Sequence, residues 1–230
     1  MKITERDIEL MGWILEQKFM TEKQVRQVFW KGRNQDNREA YRRLNKLRNM
    51  GFLTVNMKKV YRSDMYLVTA KGVRQLKELN KNHGLSAMGD ADYSNYRHDL
   101  VVTDIRILFD EMGYKSWLSE RVLSRRNDLR RVPDGMVFNK DKYIAMEYES
   151  SQKSRRRYQR IFLDYEFDRK IDQVLYIVDT KELVGKLSRE VSTSSKANFV
   201  YLGELEKELM NARLKSIGGE CVLRELLGIA

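Results

Sequence analysis

Apolar periodicity lapses over residues 81–95, NKNHGLSAMGDADYS, where Gly, Ser and Asp replace the regularly spaced aliphatics found on either side. A stretch with so little to bury marks a boundary between two folded segments. The chain is therefore expected to fold as two bodies, residues 1–80 and 96–230, joined by a linker at 81–95. Charge supports the division. The net charge is +11, and residues 1–80 alone hold 18 Lys or Arg against 9 Asp or Glu. That imbalance implies a separate basic module whose partner is a polyanion.

Within the first body, Ile8, Met11, Ile14 and Leu15 have helical spacing, which predicts a helix from Thr4 to about Gln17. Thr4 is its N-cap, with Asp7 completing an approximate capping box. Thr21 opens a second helix with Val25, Val28 and Phe29 inward, and KGRNQDN (31–37) reads as a turn. A third helix runs from about Asp36 to Met50, with Ala40, Leu44 and Leu47 inward and Gly51 as C-terminal cap. Two short strands, 52–57 and 63–69, flank a basic tip, and Thr69 caps a helix to about Asn80. Helix, helix, helix, basic hairpin, helix is the order of a winged helix-turn-helix domain. A three-helix bundle whose hairpin binds protein is the alternative.

Charge placement favours DNA. Arg38, Arg42 and Lys46 share one face of the third helix, with Arg43 and Arg48 close by. Such a face suits the major groove, where Arg pairs with guanine O6 and N7. Gln35, Asn37 and Asn45 could reach adenine. Lys58, Lys59 and Arg62 at the wing tip would meet phosphates or the minor groove. A solvated basic face is the plainer account, but here the run coincides with both helix and wing.

The second body begins with a helix, 96–112, followed by strand-like runs at 115–120, 133–138 and 142–149. A polar helix (151–169), a buried strand (173–179), a helix (180–190) and a strand (197–202) come next, with a tail that is helical in part. The fold class is α+β: the winged helix-turn-helix, then a mixed α/β sandwich of order αβββαβ. Asp134 and the pair Glu147 and Glu149 fall at the ends of neighbouring strands, with Lys153 just beyond. Alternation puts Tyr143, Ala145, Glu147 and Glu149 on one face. Two acids side by side repel unless a cation sits there. Carboxylates so arranged can hold Mg²⁺ (or Mn²⁺) for phosphodiester cleavage, with a lysine offsetting charge on the phosphate. The competing account pairs the acids with surrounding arginines. Arg121, Arg125, Arg126, Arg130 and Arg131 precede the first acid, and Arg155, Arg156, Arg157 and Arg160 come after the pair. Arg155 and Arg157 are the expected backbone contacts.

Pro133-Asp134, then Glu147-x-Glu149 followed by Lys153, resembles the PD-(D/E)xK nuclease superfamily, a restriction-endonuclease-like fold. The pattern departs from it in having Glu149 where the lysine usually stands, and Lys153, on the first turn of helix 151–169, would take that role. A wider resemblance runs through ITERDIELMGWILEQKFMTEKQV, RLNKLRNMGFL, YLVTAKG, HDLVVTDIR, WLSE, VPDG and EYESSQKS. These segments are similar to the replication-relaxation family, which includes MobC-type relaxases of mobilisable plasmids. That resemblance implies a DNA reader fused to a nuclease-like domain and acting as a nickase at a transfer or replication origin. It adds His98 and Glu120 as site candidates. Its partners would be double-stranded DNA at the origin, single-stranded DNA, and other relaxosome or replication proteins. Common relaxases use a tyrosine nucleophile beside three histidines. This chain has 2 His, His83 and His98, so attack by water through Asp134 and Glu147 is the expectation. The alternative is a non-enzymatic initiator or regulator with a degenerate nuclease-like domain; a double-strand endonuclease ranks behind both.

The single cysteine, Cys221, excludes an internal disulfide, and no Cys/His zinc spacing occurs. With no signal-peptide pattern and no run of about 18 apolar residues, a cytoplasmic protein without membrane insertion is expected.

Overall fold

The computed structural model describes residues 2–31, 38–56, 64–90, 94–139, 142–190 and 194–228. Local signals set the first elements. Thr4 accepts from the Asp7 N–H, and the Asp7 carboxylate accepts from the Thr4 N–H at 2.7 Å, a reciprocal box that starts α1 (Glu5–Glu16). Two residues form β1 (Met20–Thr21), too short to show any alternation in the sequence. Thr21 and Gln24 repeat the capping box at α2 (Glu22–Phe29). Helix α3 (Arg38–Asn49) buries Ala40, Leu44 and Leu47, the predicted stripe. It ends at Gly51, whose φ of +77° suits a residue without a Cβ. Strands β2 (Leu53–Asn56) and β3 (Met65–Val68) pair antiparallel with Leu53 opposite Val68. Strand β1 joins the other edge of β3, giving the order β1-β3-β2. Thr69 caps α4 (Ala70–Glu78). Gln35, Asn37, Lys58, Lys59 and Arg62, expected from sequence as DNA contacts, lie outside the described residues.

The chain divides into two compact units, Met1–Ile107 and Leu108–Ala230, and the division falls within one continuous helix, α5 (Tyr96–Glu111). The first unit thus runs past the stretch 81–95. The reason lies in long-range bonds. Lys18 pairs with Asp99 at 2.7 Å, and Gln24 Nε2 donates to Leu100 O at 3.0 Å and Asp104 Oδ1 at 2.8 Å. Arg106 pairs with Glu16 at 2.8 Å and lies 3.9 Å over the Trp13 ring, while Phe19 stacks on Tyr96 at 5.4 Å. Periodicity cannot announce such partners.

In the second unit, β4 (Leu118–Ser119) leads into α6 (Glu120–Leu123), then β5 (Gly135–Asn139) and β6 (Lys142–Glu149). Next come α7 (Arg155–Glu166), β7 (Gln173–Val178), α8 (Lys181–Glu190) and β8 (Ala197–Tyr201). The tail holds α9 (Leu202–Glu208), the hairpin of β9 (Arg213–Ser216) and β10 (Gly219–Val222), and α10 (Leu223–Leu226). Among the described residues these strands make one 7-stranded sheet, ordered β10-β9-β8-β7-β6-β5-β4. The pairs β6–β7 and β7–β8 are parallel and the rest antiparallel. Parallel neighbours need a crossover, supplied here by α7 and α8. Tyr158, Ile161, Phe162 and Tyr165 of α7 pack against Ala145, Tyr176 and Phe199 of the sheet.

Three details differ from the sequence expectation. Ser119 caps α6, so the run 115–120 yields a two-residue strand and Glu120 opens a helix. Ser154 caps α7, so Lys153 precedes the helix instead of standing on its first turn. Strands β9 and β10 are largely exposed, with no apolar alternation to reveal them. The whole is α+β with one large mixed sheet. No described helix is long and apolar enough to cross a membrane.

Candidate functional site

Two sets of charged side chains stand apart in chemistry. On α3, exposed Arg38 and Arg42 and half-buried Lys46 lie on the side away from Ala40, Leu44 and Leu47, and exposed Arg48 flanks that stripe. Arg43 does not join them. Its Nε donates to Asp7 Oδ1 at 2.6 Å, and a second guanidinium nitrogen bonds Oδ2. Asp7 is 1% exposed. Burial opposes its charge, but hydrogen bonds from Arg43 and Thr4 outweigh that and hold its pKa below the usual carboxylate value. Arg43 is therefore a clamp between α3 and α1.

The acids lie on the second unit's sheet. The β5–β6 register sets Gly135 opposite Met146, which brings Asp134 beside Glu147. Glycine is required at 135, because a Cβ there would collide with the Trp117 ring. Asp134 is steadied by the Tyr148 N–H, which donates to Oδ2 at 2.8 Å, and its own carbonyl accepts from the Glu120 N–H at 3.2 Å. Glu120 is half-buried. Glu147 and Glu149, both buried, share the face of β6 with Ala145, as alternation predicts, and α7 covers that face. Glu147 Oε1 accepts from Arg131 Nε at 3.0 Å and from the Tyr165 hydroxyl. Glu149 pairs with Lys153. Arg155 and Arg157 are exposed on the first turn of α7.

Electrostatically the site is under tension. Burial, then the charge of Asp134, push the Glu147 pKa up to about 7; Arg131 and Tyr165 pull it back only in part. Burial and the Glu147 charge push the Tyr165 hydroxyl well above its ordinary range. Tyr176, opposite Glu147 on β7, carries a buried hydroxyl with no hydrogen-bond partner among the described residues.

A family model described as replication-relaxation matches residues 11–174, well over half of the chain, from within α1 to the start of β7. The chain belongs to the replication-relaxation family. Membership points to a role in plasmid or mobile-element replication or relaxation, with DNA as partner. The chain matches no curated protein and no solved structure. The replication-relaxation match takes in α3 and the acids alike; α8 and the β8–β10 edge of the sheet lie beyond it.

Of the residues named from sequence, Asp134, Glu147, Glu149, Lys153 and Glu120 fall in the second unit; Asp134 lies beside Glu147, and Lys153 pairs with Glu149. His98 belongs to the first unit, with Nδ1 3.8 Å from Asp99 Oδ1. Pairing of the acids with nearby basic residues is observed, but in a buried setting and not on the surface. Among the described residues, no group of 3 or more His, Cys, Asp or Glu could hold a metal ion. Sequence reasoning missed Tyr165 and Tyr176. A signal for Tyr165 existed: Tyr158, Ile161, Phe162 and Tyr165 form an i, i+3, i+4, i+7 stripe, which points a hydroxyl at the acidic strand.

Proposed function

We propose that this member of the replication-relaxation family binds DNA sequence-specifically and nicks it, with Mg²⁺ or Mn²⁺, at a plasmid or mobile-element origin. The order α1-α2-α3-β2-β3-α4 supports a winged helix-turn-helix reading of the first unit. The order β4-α6-β5-β6-α7-β7, with an antiparallel β5–β6 pair and a parallel β6–β7 pair, supports a PD-(D/E)xK-like reading of the second. The observation that carries the proposal is the half-buried Asp134 beside the buried Glu147 at adjoining strand ends. One arginine already serves it, and yet Glu147 is driven towards protonation. A divalent ion would answer that shortage of positive charge.

Two carboxylates are enough for Mg²⁺, which keeps several waters and takes other ligands from substrate phosphates. Asp134 and Glu147 would hold it, and Lys153 withdraws Glu149 from the donor set. When bound, such an ion supplies Lewis acidity and an activated water. The chain's own residues do the rest: Tyr148 N–H fixes Asp134, Arg131 and Tyr165 fix Glu147, and Arg155 and Arg157 steady the phosphate backbone. Duplex DNA is the principal partner, with single-stranded DNA and other relaxosome or replication proteins following from strand release.

A second reading, a non-enzymatic initiator or regulator, is favoured by the two ion pairs at Glu147 and Glu149 and by the lack, among the described residues, of a cluster of three acids. One experiment separates them: nicking of supercoiled plasmid carrying the cognate origin. The nickase proposal expects relaxation that needs Mg²⁺ or Mn²⁺, stops with chelator, and disappears in Glu147→Gln and Asp134→Asn while site binding persists. Full nicking by either variant, or in excess chelator, would overturn it. Binding without nicking at any metal concentration would establish the second reading.

A further inference from the structure

We propose that Arg6, Trp30, Arg42 and Lys46 form a seat for a DNA phosphodiester on the α1 side of α3. The inference rests on the reading of α3 as a duplex-DNA contact, and it adds a residue from α1 and one from the end of α2 that no helical pattern singles out.

The seat is a cleft of about 360 Å³ in the first unit. Arg6 stacks over the Trp30 ring, with its guanidinium carbon 5.0 Å from the ring centroid. Stacking occupies the face of a guanidinium and leaves its in-plane N–H donors available, the geometry that receives two oxygens of a phosphate. It also restricts the side chain before any ligand arrives, which lowers the ordering cost of binding. Arg42 and Lys46, one turn apart on α3, supply two more cations to the same cleft. Arg6, Arg42 and Lys46 form no ion pair with a carboxylate among the described residues.

The acids of the cleft have different weights. Asp7 is neutralised by Arg43, so that pair adds no net charge. Glu39 also lines the cleft and opposes an anion, but three cations outnumber it. A residue that opposes the ligand gives the proposal a readout of opposite sign. A phosphate contact carries no base information, so the seat contributes affinity and salt dependence and not sequence preference.

The test uses the full chain and a mixed-sequence duplex, titrated over a range of salt. Arg6→Glu is expected to weaken binding about tenfold and to lower the slope of log affinity against log salt by about one. Glu39→Gln is expected to tighten binding two- to threefold, in line with removal of one opposing charge. Arg6→Gln, which keeps an uncharged donor, stands in should Arg6→Glu melt early, with a loss of about threefold and the same change in slope. Unchanged affinity and slope in the Arg6 variants overturn the seat while leaving α3 as a DNA contact. No duplex binding by the parent protein at low salt overturns both. Inorganic phosphate at constant ionic strength is the remaining arm. A thermal upshift with phosphate that Arg6→Glu abolishes, alongside unaltered DNA binding, would mark a free-anion site and overturn the DNA assignment.

Discussion

Each unit buries a carboxylate against an arginine, and the two behave in opposite ways. Asp7 is 1% exposed and Glu147 8%, so burial alone does not separate them. Asp7 receives two bonds from Arg43 and further bonds from the Thr4 N–H and hydroxyl, and its pKa falls. Glu147 receives Arg131 Nε and one tyrosine hydroxyl, lies beside Asp134, and its pKa rises. An arginine partner therefore does not decide whether a buried acid is content. The number of donors and the nearest like charge decide it. Asp7 is a structural acid; Glu147 is one that would gain from a further cation.

The largest expected effect tests the structural half. Arg43→Met strands a well-ionised Asp7, and chemical denaturation at pH 7 should show a loss of about 3 kcal/mol. Arg131→Met should cost clearly less at pH 6, because Glu147 can take up a proton instead. Equal losses for the two variants would break the comparison.

Next comes the contrast between Arg43 and its neighbours. Replacing Arg38, Arg42 and Lys46 together by alanine should weaken duplex binding roughly 100-fold near physiological salt while leaving the melting temperature within a few degrees. Binding that survives the triple change would remove α3 from the interface.

The pH dependence should differ in sign. Glu147 is protonated in both folded and unfolded chains below its ordinary value of 4.5. Between 4.5 and about 7 the unfolded chain ionises first, so this group's contribution to stability is lost as pH rises through that window. The loss is on the order of 3 kcal/mol. Asp7 contributes in the other direction: its lowered pKa supports stability above 3.8, and that support is lost as pH falls below it. Glu147→Gln should flatten the stability profile between pH 5 and 7; a profile identical to the parent's in that window would refute the raised pKa. Smallest of all, Thr4→Ala should cost about 1 kcal/mol through the lost cap, read by thermal melting. A neutral result would mean that Arg43 alone orders Asp7.

Local chemistry was legible in the chain itself. Thr4 with Asp7, Thr21 ahead of α2, the Ala40–Leu44–Leu47 stripe and the shared face of Glu147 and Glu149 follow from capping and from periods of 3.6 and 2, which neighbouring residues dictate. Tertiary structure decided what depends on distant partners. It bonded α5 to α1 and α2, so the first unit runs to Ile107. It turned Arg43 inward to Asp7, although Arg42 beside it on the same helix is exposed. It drew Arg131 and Tyr165 onto Glu147 across 16 and 18 residues. Sequence spacing sets which face of an element a side chain occupies, but the charge it meets there belongs to another element, and only packing brings the two together.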